Sequence, residues 1–218
     1  MEVINVETVN TREINTAIKD ATNHKNEDEV YVRNASGLSN IAVGIRQNAR
    51  ITIGSDVGDL IGALNDGAII RVEGSAGKYA ADGMTTGEVV INGDADEGAG
   101  TAMCGGALVI KRNAKNHVGQ LLKGGTIVVG GNVGNHVGSF MITGTIIIGG
   151  DAGRELGDSM IGGAIYIKGN YETLGKNLQQ IELGEDDREF LKKLLSKYQL
   201  NLEAGAFKKV VPQPRTLM

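Results

Sequence analysis

Two histidines nineteen residues apart, His117 and His136, are the side chains best placed by type and spacing to do chemistry, and Glu155 stands nineteen further on. A His–His–Glu ladder is the donor set of a zinc or other transition-metal site, provided the side chains converge on one ion. Both histidines, however, sit in the same Asn-His-Val-Gly context, with Asn116 and Asn135 equally spaced beside them, which reads as well as a repeated polar turn. The expectation is therefore no metal site, with His117, His136 and Glu155 as the residues that would form one. Cys104 is the single cysteine and has no base paired with it nearby in sequence. It reads as a small residue near a turn rather than a nucleophile. One cysteine also excludes an internal disulfide framework, a Cys-rich zinc site and an iron–sulfur cluster held by this chain alone. Asp94, Asp96 and Glu97 read as a solvated turn rather than an acid–base pair. The stretch GGNVGNHVG at 130–138 has the glycines of a nucleotide-binding loop. A dinucleotide fingerprint needs a strand–turn–helix unit, and here the glycines recur with no helix between them. No catalytic residue and no cofactor-binding residue is assigned.

The elements that must position these residues are set by a repeat. From Ile51 the sequence falls into seven consecutive blocks of nineteen without insertion or deletion. One column reads Ile51, Ile70, Val89, Leu108, Ile127, Ile146, Ile165, and two residues later come Ile53, Val72, Ile91, Ile110, Val129, Ile148, Ile167. Apolar residues at i and i+2 with β-branched side chains are strand alternation. Glycine at 87, 106, 125, 144 and 163, and again at 100, 119, 138 and 157, supplies turns between short strands, two or three to a block. Stacked at the strand spacing of about 4.8 Å, seven blocks make a parallel β-helix roughly 34 Å long. The columns that begin at Ile51, Ile53, Val57 and Ile61 fill its interior, joined by Met84, Met103, Leu122, Met141 and Met160. The column Asp56, Ser75, Asp94, Asn113, Asn132, Asp151, Asn170 is expected to bond its own turn backbone. A calcium-binding coil of two nonapeptides falls one short of this period and has a different glycine pattern.

Residues 1–50 are expected to form an N-terminal helix and capping segment, 51–183 the β-helix, and 184–218 a C-terminal helix with an extended tail. An amphipathic helix over 10–24 opens with Asn10 and Glu13 in capping-box positions and puts Ile14, Ala17, Ile18 and Ala21 on one face. The runs VYV at 30–32 and IAVGI at 41–45 read as a degenerate first coil. A second helix carries Phe190, Leu191, Leu194, Leu195 and Tyr198 at helical spacing, with acids at its start and lysines after them. Each helix is expected to close one end of the solenoid. The net charge of −4 gives no support for nucleic-acid or anionic-membrane binding. No apolar run approaches the length of a membrane span and the N-terminus lacks a signal peptide's pattern, so a cytoplasmic, non-membrane protein is expected.

One column calls for a partner. Between the two inward columns lie Thr52, Arg71, Val90, Val109, Val128, Ile147 and Tyr166, and strand geometry points them outward. The last five form an apolar stripe about 20 Å long. An apolar patch of that kind marks an interface, either with another subunit or with the chain's own C-terminal segment. On the first alternative Val128→Asp would weaken assembly and leave the fold intact.

The element G-x-x-G-x-x-x-G, seen at Gly131–Gly134–Gly138 and Gly150–Gly153–Gly157, resembles the GXGXG domain at the C-terminus of the glutamate synthase large subunit. The likeness extends over the repeats to VNTREINTAI at 9–18 and FKKVVP at 207–212. The resemblance implies a right-handed parallel β-helix of seven coils, in keeping with the count from periodicity. It implies a non-catalytic structural subunit of a split glutamate synthase, which makes glutamate from glutamine and 2-oxoglutarate. A separate amidotransferase subunit and an FMN and iron–sulfur synthase subunit would be its partners, and neither cofactor would be bound by this chain. The same domain occurs in one subunit of formylmethanofuran dehydrogenase, which is the alternative assembly. A stand-alone β-helix hydrolase or metalloenzyme, and a protein that self-associates end to end, are the remaining alternatives.

Overall fold

The computed structural model describes residues 2–5, 10–24, 29–46 and 48–214. Val9 of the N-terminal motif and the last four residues of the tail lie outside them. Strands β1 (Glu2–Asn5), β2 (Glu29–Arg33), β3 (Arg50–Ile53), β4 (Asp66–Val72), β5 (Thr86–Ile91), β6 (Ala107–Ile110), β7 (Thr126–Val129), β8 (Thr145–Ile148) and β9 (Ala164–Ile167) stack in chain order. All of these neighbours are parallel, and from β3 to β9 the register is the sequence repeat itself, Ile51 on Ile70 on Val89 through to Ile165. The stack also runs upstream: Val30 pairs with Ile51 and Glu2 with Val30, so the VYV run is a coil of the solenoid.

Apolar alternation turns into burial as the pattern requires. Both inward strand columns are buried along their whole length, and so are Met84, Met103, Leu122, Met141 and Met160. The column from Ile61 continues as Ala80, Ala99, Val118, Val137 and Leu156, all within the same core.

The rest of each coil departs from the expected strands. Only one regular strand forms per coil, and elsewhere the coils meet through isolated bridges such as Ala76 to Ala95 to Ala114. The cause is a left-handed backbone at alternate residues: Leu60, Gly62 and Leu64 have φ of 61°, 63° and 55°. An extended ladder cannot persist through such residues. Their N–H groups are still satisfied coil to coil, Leu60 donating to Lys78 O, Gly62 to Ile41 O and Leu64 to Asp82 O.

The polar turn column also behaves differently from expectation. Its side chains do not bond their own turn; the first six each accept from the backbone one coil on, and the last, Asn170, accepts from Lys208 Nζ. Ser75 N–H donates to Asp56 Oδ1 at 2.7 Å, Asn132 N–H to Asn113 Oδ1 at 2.9 Å, and Asp151 N–H to Asn132 Oδ1 at 2.8 Å. The coil rise puts the next N–H within reach of a short side chain aimed along the axis. Gly150 shows what this demands of its neighbour: a Cβ there would collide with Asn132 Oδ1 and the adjoining backbone. This glycine is required for space, not for a left-handed φ.

The helix α1 (Thr11–His24) closes the N-terminal end as expected, sinking Ile14, Ile18 and Ala21 into the core. Its start is a reciprocal cap, with Glu13 N–H donating to Asn10 Oδ1 and Asn10 N–H to Glu13 Oε2. The other end is built otherwise. Strand β10 (Leu178–Ile181) is separated from β9 by β11 (Lys208–Pro212), which runs antiparallel to both. The extended tail thus becomes a sheet strand, and Lys208 Nζ donates to Gly169 O at the last turn. The second helix, α2 (Glu185–Lys197), lies on the flank instead of the end.

Candidate functional site

His117 and His136 sit on left-handed residues of consecutive coils, a conformation histidine tolerates better than most side chains. Their rings stack face to face, 5.3 Å between centroids and 7° from parallel. Stacked faces direct the ring nitrogens side by side, not at a common point. Glu155, one coil on, uses its backbone N–H on Thr173 Oγ1. Among the described residues no group of three His, Cys, Asp or Glu side chains is placed to hold a metal ion. Cys104 is exposed, with its Sγ directed at Ala102 O. The acids at 94–97 divide between turn and surface roles. Asp94 Oδ1 accepts from the Asn113 backbone and side chain, while Asp96 pairs with Lys115 and Glu97 with Lys78. The Lys115 ammonium holds the Asp96 carboxyl below the usual carboxylate range against the opposing effect of burial. These are coil-to-coil ties.

Of the two covers expected for the outward stripe, a partner or the chain's own C-terminal segment, the structure gives the second. Val90, Val109, Val128, Ile147 and Tyr166 are at most 5% exposed, and they form one cluster with Leu183, Leu191, Leu195, Tyr198 and Phe207. The stripe is therefore a second core, and the assignment of these five residues to a partner interface is corrected. The reason is that α2 and the segment after it bring a matching apolar face from the same chain. Phe190, counted on that face by its spacing, lies at the rim, 37% exposed and tilted against the Tyr166 ring.

Two polar clusters hold α2 in place. Near its N-terminus, Tyr166 Oη donates to Asp187 Oδ1 at 2.6 Å and Lys209 Nζ donates to the same oxygen at 2.7 Å. Burial opposes the charge on Asp187, but the Lys209 ammonium, the Tyr166 hydroxyl and the Gly184 N–H together hold its carboxyl below the ordinary 3.8. Burial, and then the bond to Asp187, push the Tyr166 hydroxyl far above its usual range. At the other end, Lys197 Nζ and Tyr198 Oη both donate to Glu88 Oε2, at 2.6 and 2.8 Å. The bond to Glu88 raises Lys197.

The same outer face is open beyond the end of α2. Tyr31, Thr52 and Arg71, the upstream members of the stripe column, line a cleft of about 200 Å³ with Glu29, Arg50 and Ile69. The column's polar members were legible in the sequence, but polarity alone marked them only as surface. A separate apolar ridge went unnoticed: Leu121, Phe140, Ile142 and Ile161 on two neighbouring turn columns are 42 to 53% exposed. Their signal was apolar residues recurring at the repeat interval outside the core columns. No helix among the described residues is long and apolar enough to cross a membrane.

Comparison with known proteins follows the same lines. Protein GlxC of Rhizobium meliloti (strain 1021) is 37% identical over 91 residues, which is 42% of this chain and 40% of that protein. The aligned part thus spans well under half the length of this curated relative. A solved chain from the formyltransferase/hydrolase complex (FhcABCD) of Methylorubrum extorquens, determined with methylofuran, superposes with a TM-score of 0.64 over 93% of this chain and 86% of that one. At 22% identity that likeness shows the fold. The GXGXG motif family matches residues 38–213, from within the coil that begins with β2 through strand β11, and on that match the chain belongs to the GXGXG motif family.

Proposed function

We propose that this protein is a structural, non-catalytic subunit of a split glutamate synthase, packing against separate amidotransferase and FMN/iron–sulfur synthase subunits. The observation that carries this reading is the family match over residues 38–213, on a solenoid whose inward columns are filled by core side chains. Such a molecule offers long outer faces to its neighbours. The cluster belongs to the synthase partner on this reading, because one cysteine cannot ligate a cluster by itself, and the reading assigns the flavin to the same partner.

The GXGXG-bearing subunit of formylmethanofuran dehydrogenase is the second reading, favoured by the structural similarity to a chain of a formyltransferase/hydrolase complex. Affinity isolation of the tagged full chain from its native cells, with mass spectrometry of the co-eluting proteins, separates the two. An amidotransferase together with an FMN/iron–sulfur protein is the expected result. Molybdenum- or tungsten-pterin proteins would replace it with the second reading. Isolation of the chain alone, even at low salt, would overturn both.

A further inference from the structure

The outer sheet face is closed by α2 over the coils from Val90 to Tyr166 and open over the coils of Tyr31, Thr52 and Arg71. In the open part several cations have weak partners or none among the described residues. Arg71 is exposed and has no ion-pair partner among the described residues, and neither has the half-buried Lys111 two coils on. Arg50 meets Glu29 at 3.8 Å with both side chains more than half exposed, a pair worth little in water. Arg33 lies 5.8 Å from the centroid of the Tyr31 ring. The Tyr31 ring reaches across Gly54, where a Cβ would strike its hydroxyl. A second hollow on the far side of Arg71 contains Glu88, but that carboxylate is already occupied by Lys197 and Tyr198. Arg71 borders both hollows. In a chain of net charge −4, this face is locally cationic.

We propose that the open half of the outer sheet face, anchored by Arg71, is the docking seat for a carboxylate-bearing segment of a partner protein. Charge complementarity selects an acidic occupant. Arg33 and Arg71 are exposed, and Lys111 shares the second hollow with Arg71. The acids on this face are Glu29, loosely paired with Arg50, Glu73, which takes Asn92, and Glu88, held by Lys197 and Tyr198. The shallow cleft with a tyrosine, an arginine and the aliphatic Ile69 has the side-chain types concentrated where protein interfaces carry their energy. It also continues the surface on which the chain already lays α2, whose last turn ends on Glu88 beside Arg71. This inference rests on the subunit reading, and its test keeps the two apart.

The test uses the full tagged chain in its native complex, with Arg71→Glu, Arg71→Lys, and a photo-crosslinking benzoylphenylalanine in place of Thr52. Arg71→Glu is expected to weaken recovery of the complex roughly tenfold or more, and Arg71→Lys much less. The crosslink from position 52 is expected on a partner peptide containing Asp or Glu. Unchanged thermal unfolding of the isolated variants would show that the loss is not a folding defect. A complex that forms equally well with Arg71→Glu overturns the docking seat and leaves the subunit reading standing. So does a crosslink to a second copy of this chain or to a peptide without carboxylates. No complex with the unaltered chain overturns both.

Discussion

The two halves of the outer sheet face are made from the same strands in the same register, yet one is a core and the other a surface. From Val90 to Tyr166 the outward column is apolar, and α2 with the segment after it covers it. From Tyr31 to Arg71 it is polar, and none of the described residues lies over it. Strand geometry dictates only which way a side chain points. Whether an outward residue is surface depends on what else the chain can bring to it, here a helix that follows in sequence after the last coil.

The largest expected effect comes from breaking the covered half. Val128→Asp puts a carboxylate into a site with no cation to meet it, and should cost on the order of 4 kcal/mol. Urea unfolding of the isolated protein would measure it, and a normal midpoint would show that α2 leaves the stripe in solution. Gly150→Val comes next, because its side chain must displace the Asn132 ladder oxygen. About 2–3 kcal/mol and a lower melting temperature are expected.

The Asp187 cluster gives a smaller, pH-dependent effect. Its carboxyl is held below 3.8 in the folded protein, so its contribution is present above the unfolded pKa and is lost as pH falls through the lower folded value. Melting temperature should therefore fall below about pH 4 more steeply for the unaltered protein than for Asp187→Asn. Parallel curves would remove Asp187 from the account of how α2 is held. At the small end, Arg71→Ala should change stability by less than about 0.5 kcal/mol, since the side chain touches solvent. A substantial loss would mean that the open half is structurally engaged after all.

Much of this was legible beforehand. The columns from Ile51 and Ile53 read out the strand register residue for residue, because a solenoid repeats both chemistry and geometry at one interval. The capping box at Asn10 and Glu13 was likewise written locally. What could not be read were relations between distant segments. The apolar column at Val128 calls for a cover, but nothing local decides between a partner and residues 183–207. The antiparallel insertion of β11 depends on pairings between segments far apart in sequence, as in Lys208 with Ile167. The polar turn column was recognised as turn chemistry, but its hydrogen bonds run along the axis, a direction no single turn reveals. The histidine pair was seen as a stack, and only the ring orientation separates a stack from a donor set.

The insertion of β11 between β9 and β10 also imposes an order on synthesis. When Ile181 has just been added to the growing chain, everything from position 182 to position 207 must still be made before β11 begins. At roughly 5–20 residues per second, β9 waits seconds for its eventual neighbour, and the Val90–Tyr166 stripe stays bare until α2 has been made. During that interval β10, which points the same way as β9, can pair in the place β11 will need. A closing strand that arrived after such a pairing would have to displace it. Pauses in translation before residue 208 would lengthen this exposure, so the speed with which the C-terminal segment is made bears directly on the yield of correctly closed protein.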